Sequence, residues 1–148
     1  MTLRRLSRRD FIAASTASAL FASTAAVGAT RKRRVALVGT GIRGIGFWGK
    51  YLNDSYGDVV EYVGLCDINP GRLEYARDSM GIDCPVFTDF DVMLAEAKPD
   101  LVIVTTVDST HDEFIIGALN AGLDVVTEKP MTTDESKCQA ILEAAGKS

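Results

Sequence analysis

Arg34-Val35-Ala36-Leu37-Val38-Gly39-Thr40-Gly41-Ile42-Arg43-Gly44 is the stretch that decides the fold. Its first residues form a short apolar run with β-branched character. The run ends in Gly39, Gly41 and Gly44, a G-x-G-x-x-G spacing, and residues from about Ile42 to Tyr56 then read as a helix. A second apolar run, Val59 to Cys66, closes on Asp67, which lies 23 residues beyond Gly44. Strand, glycine turn, helix and a second strand ending in a carboxylate together make a dinucleotide-binding unit, in which the acidic residue is expected about 20 residues on.

Each part of that unit has a separate chemical task. Gly39 permits the tight turn, Gly41 lets the backbone approach a pyrophosphate, and Gly44 lets the helix pack close to the sheet. The N–H groups at the helix start, around Ile42 and Arg43, and the helix dipole then face the phosphates. Asp67 can accept hydrogen bonds from the adenosine ribose hydroxyls, and its charge repels a 2′-phosphate. NAD is therefore expected over NADP, with Arg43 and Arg72 the cations that would suit the phosphorylated form.

The rest of the chain keeps the alternation. Pro70 to Met80 reads as a helix with proline in its first turn. Val86 to Thr88 is a brief strand and Phe90 to Ala97 a short helix. Leu101 to Thr106 is a continuous apolar strand, the pattern of one covered on both faces. Thr110 to Ala121 is a helix stopped by Gly122, Val125 to Glu128 a strand, and Asp134 to Ala145 a final helix capped by Thr132 or Thr133. The expected fold class is therefore α/β, a doubly wound parallel sheet of Rossmann type. It is expected to be incomplete at its C-terminus, because a sixth strand should follow the last helix.

Composition narrows the function. The 148 residues, 47% of them hydrophobic, suit one domain with a real core rather than two. Residues 30–148 are read as that domain. Cys66, Cys84 and Cys138 are an odd set with no C-x-x-C spacing, and a single histidine cannot build a multi-His site, so no metal is expected. Outside the first 29 residues there are 12 basic and 19 acidic side chains, which argues against a nucleic-acid partner. The one basic cluster there, Arg31-Lys32-Arg33-Arg34, reads as a solvated lead-in to the first strand.

Residues 1–29 read as an address. Ser7-Arg8-Arg9-Asp10-Phe11-Ile12 resembles the bacterial twin-arginine export consensus, and a weakly apolar stretch follows to Val27. Val27-Gly28-Ala29 offers the small residues a signal peptidase reads, with an uncleaved membrane anchor as the alternative. The expected location is the periplasm or beyond, where no free nicotinamide nucleotide exists, so the cofactor would travel tightly bound.

One further block carries a family resemblance. Ala118-Leu119-Asn120-Ala121-Gly122-Leu123-Asp124-Val125-Val126 runs on to Glu128-Lys129-Pro130. With the glycine loop, the Cys66-Asp67 strand end and Pro99-Asp100-Leu101-Val102-Ile103-Val104, it resembles the Gfo/Idh/MocA family over residues 34 to about 146. The resemblance implies an oxidoreductase acting on a sugar or polyol hydroxyl, and a second α/β domain that holds the substrate and forms any homo-oligomer. It implies that Lys129 lies beside the nicotinamide and contacts the hydroxyl being oxidised. A lysine at this strand end faces the ligand crevice and can stabilise a developing alkoxide or act as general base. Glu128 is expected to position the nicotinamide ribose or Lys129. Thr105 and Thr106 should line the cofactor cleft, and His111 matches the family's histidine near the helix start, as a hydrogen-bonder rather than a catalyst. The family's Pro and Asn before that histidine are absent here, where the run is Val107-Asp108-Ser109. The Lys129–Pro130 bond can be cis, and a ligand-facing turn raises that above the general rate of about 5–6%. Phe47, Trp48 and Tyr51 read as core or interface. The alternatives are an NAD-dependent glycoside hydrolase, which oxidises transiently and eliminates, and a truncated nucleotide-binding module without activity.

Overall fold

The computed structural model describes residues 31–148, and the export segment read at 1–29 lies outside them. In chain order the elements are β1 (Arg33–Val38), a wide π-type helix α1 (Gly44–Tyr51) that continues as α2 (Leu52–Tyr56), β2 (Val60–Cys66) and α3 (Pro70–Met80). Next come β3 (Val86–Phe87), α4 (Phe90–Ala97), β4 (Leu101–Val104), a 3-10 turn (Asp108–Thr110), α5 (His111–Asn120), β5 (Asp124–Thr127) and α6 (Glu135–Ala145). The five strands form one parallel sheet in the order β3-β2-β1-β4-β5. This is the doubly wound arrangement expected from the alternation of elements.

Alternate residues of each strand feed two separate cores. Val35, Leu37, Leu65 and Ile103 pack towards α1 and α3 with Leu73, Ala76 and Met80. Ala36, Val38, Val102 and Val104 pack on the other face with Met93, Ile115, Ala118 and Ile141 from α4, α5 and α6. Burial on both faces explains why Leu101–Val104 reads as an unbroken apolar run.

The alternation breaks once. Val35 sits opposite Tyr62 but Ala36 sits opposite Gly64, so Val63 has no partner on β1. This bulge turns Val63 and position 64 to the same face. A β-carbon at Gly64 would lie 3.2 Å from both the Ala97 and Met93 side chains, so there is room for only one side chain there.

Several boundaries and contacts differ from the sequence reading. Asp134, not Thr132 or Thr133, caps α6, its Oδ1 accepting from the Ser136 and Lys137 N–H groups. A carboxylate of the right reach outcompetes the two preceding hydroxyls for those orphan donors. Strands β4 and β5 stop at Val104 and Thr127; the Thr105 and Glu128 N–H groups still bond to the Val38 and Val104 carbonyls, and the chain turns into loops beyond them. The basic run is largely exposed, as a solvated lead-in would be, but its side chains are also bonded. Arg34 donates to the carbonyls of Lys98 and Ala97, Arg33 pairs with Asp124, and Lys32 donates to the Gly57 carbonyl. These cations tie the N-terminal ends of the strands to neighbouring turns. Among the described residues no helix is long and apolar enough to cross a membrane.

Candidate nucleotide site

β1 hands the chain to β2 on one side of the sheet, while β4 lies on the other. That reversal opens a crevice at the C-terminal ends of β1 and β4, the place where open α/β sheets take ligands. The sequence puts Gly39–Gly44 on one wall and Thr105–Thr106 and Glu128–Pro130 on the other.

The glycine loop is shaped as its residue types require. Gly39 has φ +91, and a β-carbon there would lie 2.6 Å from the Thr105 carbonyl and the Thr106 nitrogen. A β-carbon on Gly44 would overlap the Gly39 carbonyl oxygen and come within 2.6 Å of Thr105 Oγ1. Gly41 is different, because nothing lies within 4 Å of its missing side chain. That open side, at the start of α1, is the space a pyrophosphate would need. Ile42 beside it is 95% exposed, and Arg43 is exposed as well.

Asp67 does more than the sequence reading assigned to it. Its Oδ2 accepts from both the backbone N–H (2.8 Å) and the hydroxyl (2.9 Å) of Thr40, and its Oδ1 accepts from the Asn69 N–H at 3.0 Å. Thr40 is 1% exposed, so Asp67 supplies the partners of a buried residue inside the glycine loop. An ionised carboxylate offers about four lone-pair positions, and three are used, leaving capacity on Oδ1 for a ribose hydroxyl. The residues therefore fit an NAD-type dinucleotide in the loop, in the open Gly41 face and in the spare acceptor.

The opposite wall is held from behind. Thr105 Oγ1 donates to the Gly39 carbonyl at 2.5 Å, so this buried hydroxyl fastens the loop to β4. Thr106 Oγ1 accepts from Thr110 Oγ1 at 3.0 Å. His111 is 0% exposed, with Nδ1 2.9 Å from the Pro130 carbonyl oxygen and Nε2 3.1 Å from the Thr106 carbonyl oxygen. Its ring thus lies between the turn after β4 and the turn after β5 and donates to one of the two carbonyls, and the Lys129–Pro130 peptide in that second turn is cis. Lys129 is exposed, and its ammonium has no partner among the described residues.

Glu128 joins the two walls. Its Oε1 accepts from Arg43 Nε at 2.5 Å and from the Trp48 indole N–H at 2.7 Å, and its Oε2 accepts from the Lys129 backbone N–H at 3.2 Å. The Trp48 bond is the main reason this carboxyl is held below the usual carboxylate range; partial burial opposes it, and Arg43 and the Lys129 N–H reinforce it. Sequence reading placed Trp48 in core or interface and missed this bond. The available signal was the indole N–H itself, which needs a partner when partly buried. It missed Thr40 for a similar reason, since the second residue of a glycine motif carries no periodicity.

The cysteine thiols take no part in this site, although the Cys66 carbonyl accepts the Gly39 N–H at 2.8 Å. Burial pushes both the Cys66 and the Cys84 thiol up to about 11, so neither is a thiolate at neutral pH. Among the described residues no cluster of three metal-ligating side chains occurs.

Comparison with known proteins agrees with this geometry. Residues 33–148 match the Gfo/Idh/MocA family, described as an oxidoreductase family with an NAD-binding Rossmann fold. The chain is 31% identical over 114 residues to an inositol 2-dehydrogenase of Salmonella typhimurium, covering 77% of this chain and 33% of that protein. It is 31% identical over 106 residues to a UDP-N-acetylglucosamine 3-dehydrogenase of Acidithiobacillus ferrooxidans, covering 72% and 33%. Among solved structures it superposes on the WlbA dehydrogenase of Chromobacterium violaceum, determined with NADH and UDP-GlcNAcA. The TM-score is 0.72 and the identity 34%, over 79% of this chain and 33% of that one. The chain spans about a third of the length of the relatives it matches.

Proposed function

This chain belongs to the Gfo/Idh/MocA oxidoreductase family, and on that premise we propose that it is the nucleotide-binding part of an NAD-dependent dehydrogenase acting on a sugar or polyol hydroxyl. The observation that carries the reading is the paired wall: a glycine loop open at Gly41 and closed by Asp67, facing the Glu128-Lys129-Pro130 turn. NAD+, when bound, supplies the hydride acceptor. Gly41 and the start of α1 receive its phosphates, and Asp67 Oδ1 takes an adenosine ribose hydroxyl. Glu128 orients the nicotinamide ribose. Lys129 Nζ contacts the substrate hydroxyl and takes or steadies its proton as the carbonyl forms. The substrate-binding residues belong to a second domain, as the length of the relatives suggests.

Asp67→Asn tests the nucleotide assignment, because asparagine can still accept from Thr40 but carries no charge. NAD+ binding measured by calorimetry is expected to weaken about tenfold, as for a lost hydrogen bond to a charged group. NADP+ binding is expected to strengthen, narrowing the preference. Unchanged affinity for both nucleotides would refute the assignment.

Residues 1–29 support a further part of the reading, export by the twin-arginine route with the cofactor already bound. The supporting features are the Arg8-Arg9 pair, Phe11 and the weakly apolar stretch after them. In a bacterial host, Arg8→Lys with Arg9→Lys is expected to leave the protein in the cytoplasm, as fractionation and immunoblotting would report. Export of the double variant at the normal level would refute this reading.

A further inference from the structure

Helix α1 does not wind as an ordinary α-helix. The Leu52 N–H reaches the Phe47 carbonyl five residues earlier, and the Trp48 carbonyl accepts the hydroxyl of Tyr62 from β2. Tyr62 is buried and stands at the bulge where β2 gains its unpaired residue. Widened turns of this kind are rare and concentrate at functional sites. Here the turn carries Trp48 to the crevice, where the indole N–H meets Glu128. Arg43, one turn earlier, meets the same carboxylate oxygen, and its guanidinium carbon lies 4.5 Å over the Phe47 ring, which in turn stacks on Tyr51. The Glu128 side chain is only 12% exposed, while Arg43 beside it is 61% exposed.

We propose that Trp48 is a positioning residue of the nucleotide site. Through Glu128, it sets the Glu128-Lys129-Pro130 turn at a fixed distance from the glycine loop before the dinucleotide arrives. The proposal rests on the nucleotide-binding reading above and adds a residue to it. Trp48 acts through another residue. It holds the carboxylate, and the carboxylate holds the Lys129 backbone N–H. The widened turn, the Tyr62 bond to the Trp48 carbonyl and the bulge under Tyr62 together fix where the indole sits.

Two measurements on the 148-residue chain test this. Trp48 is its single tryptophan, so emission reports one residue. In the ligand-free chain, Glu128→Ala is expected to shift that emission, since it removes the indole's partner; unshifted emission would overturn the proposal. The second is NAD+ affinity in a double-mutant cycle. Trp48→Phe is expected to weaken NAD+ binding about tenfold in the wild-type background, and to have almost no effect once Glu128 is alanine. An equal loss in both backgrounds would mean that Trp48 serves only to pack the helix, and would overturn the proposal. Normal NAD+ binding by Trp48→Phe would overturn it alone and leave the nucleotide reading standing. No NAD+ binding by the wild-type chain would overturn both.

Discussion

Gly39→Ala is expected to destabilise the chain by about 2–4 kcal/mol and to abolish NAD+ binding. Two costs add. An L-residue at φ +91 adopts a backbone conformation it rarely tolerates, and its β-carbon meets the backbone of Thr105 and Thr106 at 2.6 Å. Those neighbours are main chain just beyond β4, where the Val38 carbonyl holds the Thr105 N–H at 2.7 Å, so they cannot yield as a flexible side chain would. Gly41→Ala should behave in the opposite way. Nothing lies within 4 Å of the added methyl, so thermal denaturation should place the variant within about 0.5 kcal/mol of wild type. The methyl would occupy the space a phosphate must enter, and NAD+ affinity should fall at least about tenfold. The pair separates the loop's structural glycine from its ligand-facing one. A stable Gly39→Ala, or a Gly41→Ala with undiminished affinity, would contradict the account of the loop.

The second large effect is catalytic. In the dehydrogenase proposed above, Lys129→Ala is expected to lower kcat/KM about 10²–10⁴-fold, the range for removing a positioned acid–base group. NAD+ affinity should change only a few-fold, because the Lys129 ammonium holds no other part of the site together among the described residues. The split matters more than the size of the loss. A fall in turnover matched by an equal fall in NAD+ affinity would show that Lys129 organises the cofactor instead of the substrate hydroxyl. Steady-state kinetics and a separate NAD+ titration distinguish the two.

Much of this fold is legible because its signals are local. Pro70 to Met80 and Phe90 to Ala97 are helices to the residue, each opened by a side chain that caps it: Asn69 accepts from Gly71 and Arg72, and Asp89 from Val92. The helix stop at Met80 is likewise local, a glycine at Gly81 in the left-handed region. The paired apolar runs of β1 and β4 show burial on both faces directly. What escaped the sequence is the set of bonds made across long separations. Arg34 caps a turn 63 residues away, and Trp48 meets Glu128 across 80. Trp48 packs half-buried against the core under α1, as its residue type suggests, but its indole N–H reaches Glu128 in the crevice, which no helical period reveals. Asp67 illustrates the middle case: its place at the strand end is plain from spacing, while its grip on the buried Thr40 depends on how the loop folds back over it.

The central claim is that this domain binds NAD through the Gly39–Gly44 loop and Asp67. The most direct test is a calorimetric titration of the 148-residue chain with NAD+ and, separately, with NADP+, its folded state verified by circular dichroism. One NAD+ is expected to bind per chain, more tightly than NADP+, with affinity reduced at least about tenfold in Gly41→Ala while the fold persists. A folded chain that takes up neither nucleotide, or that binds NAD+ equally well with Gly41 and Asp67 both replaced, would contradict it.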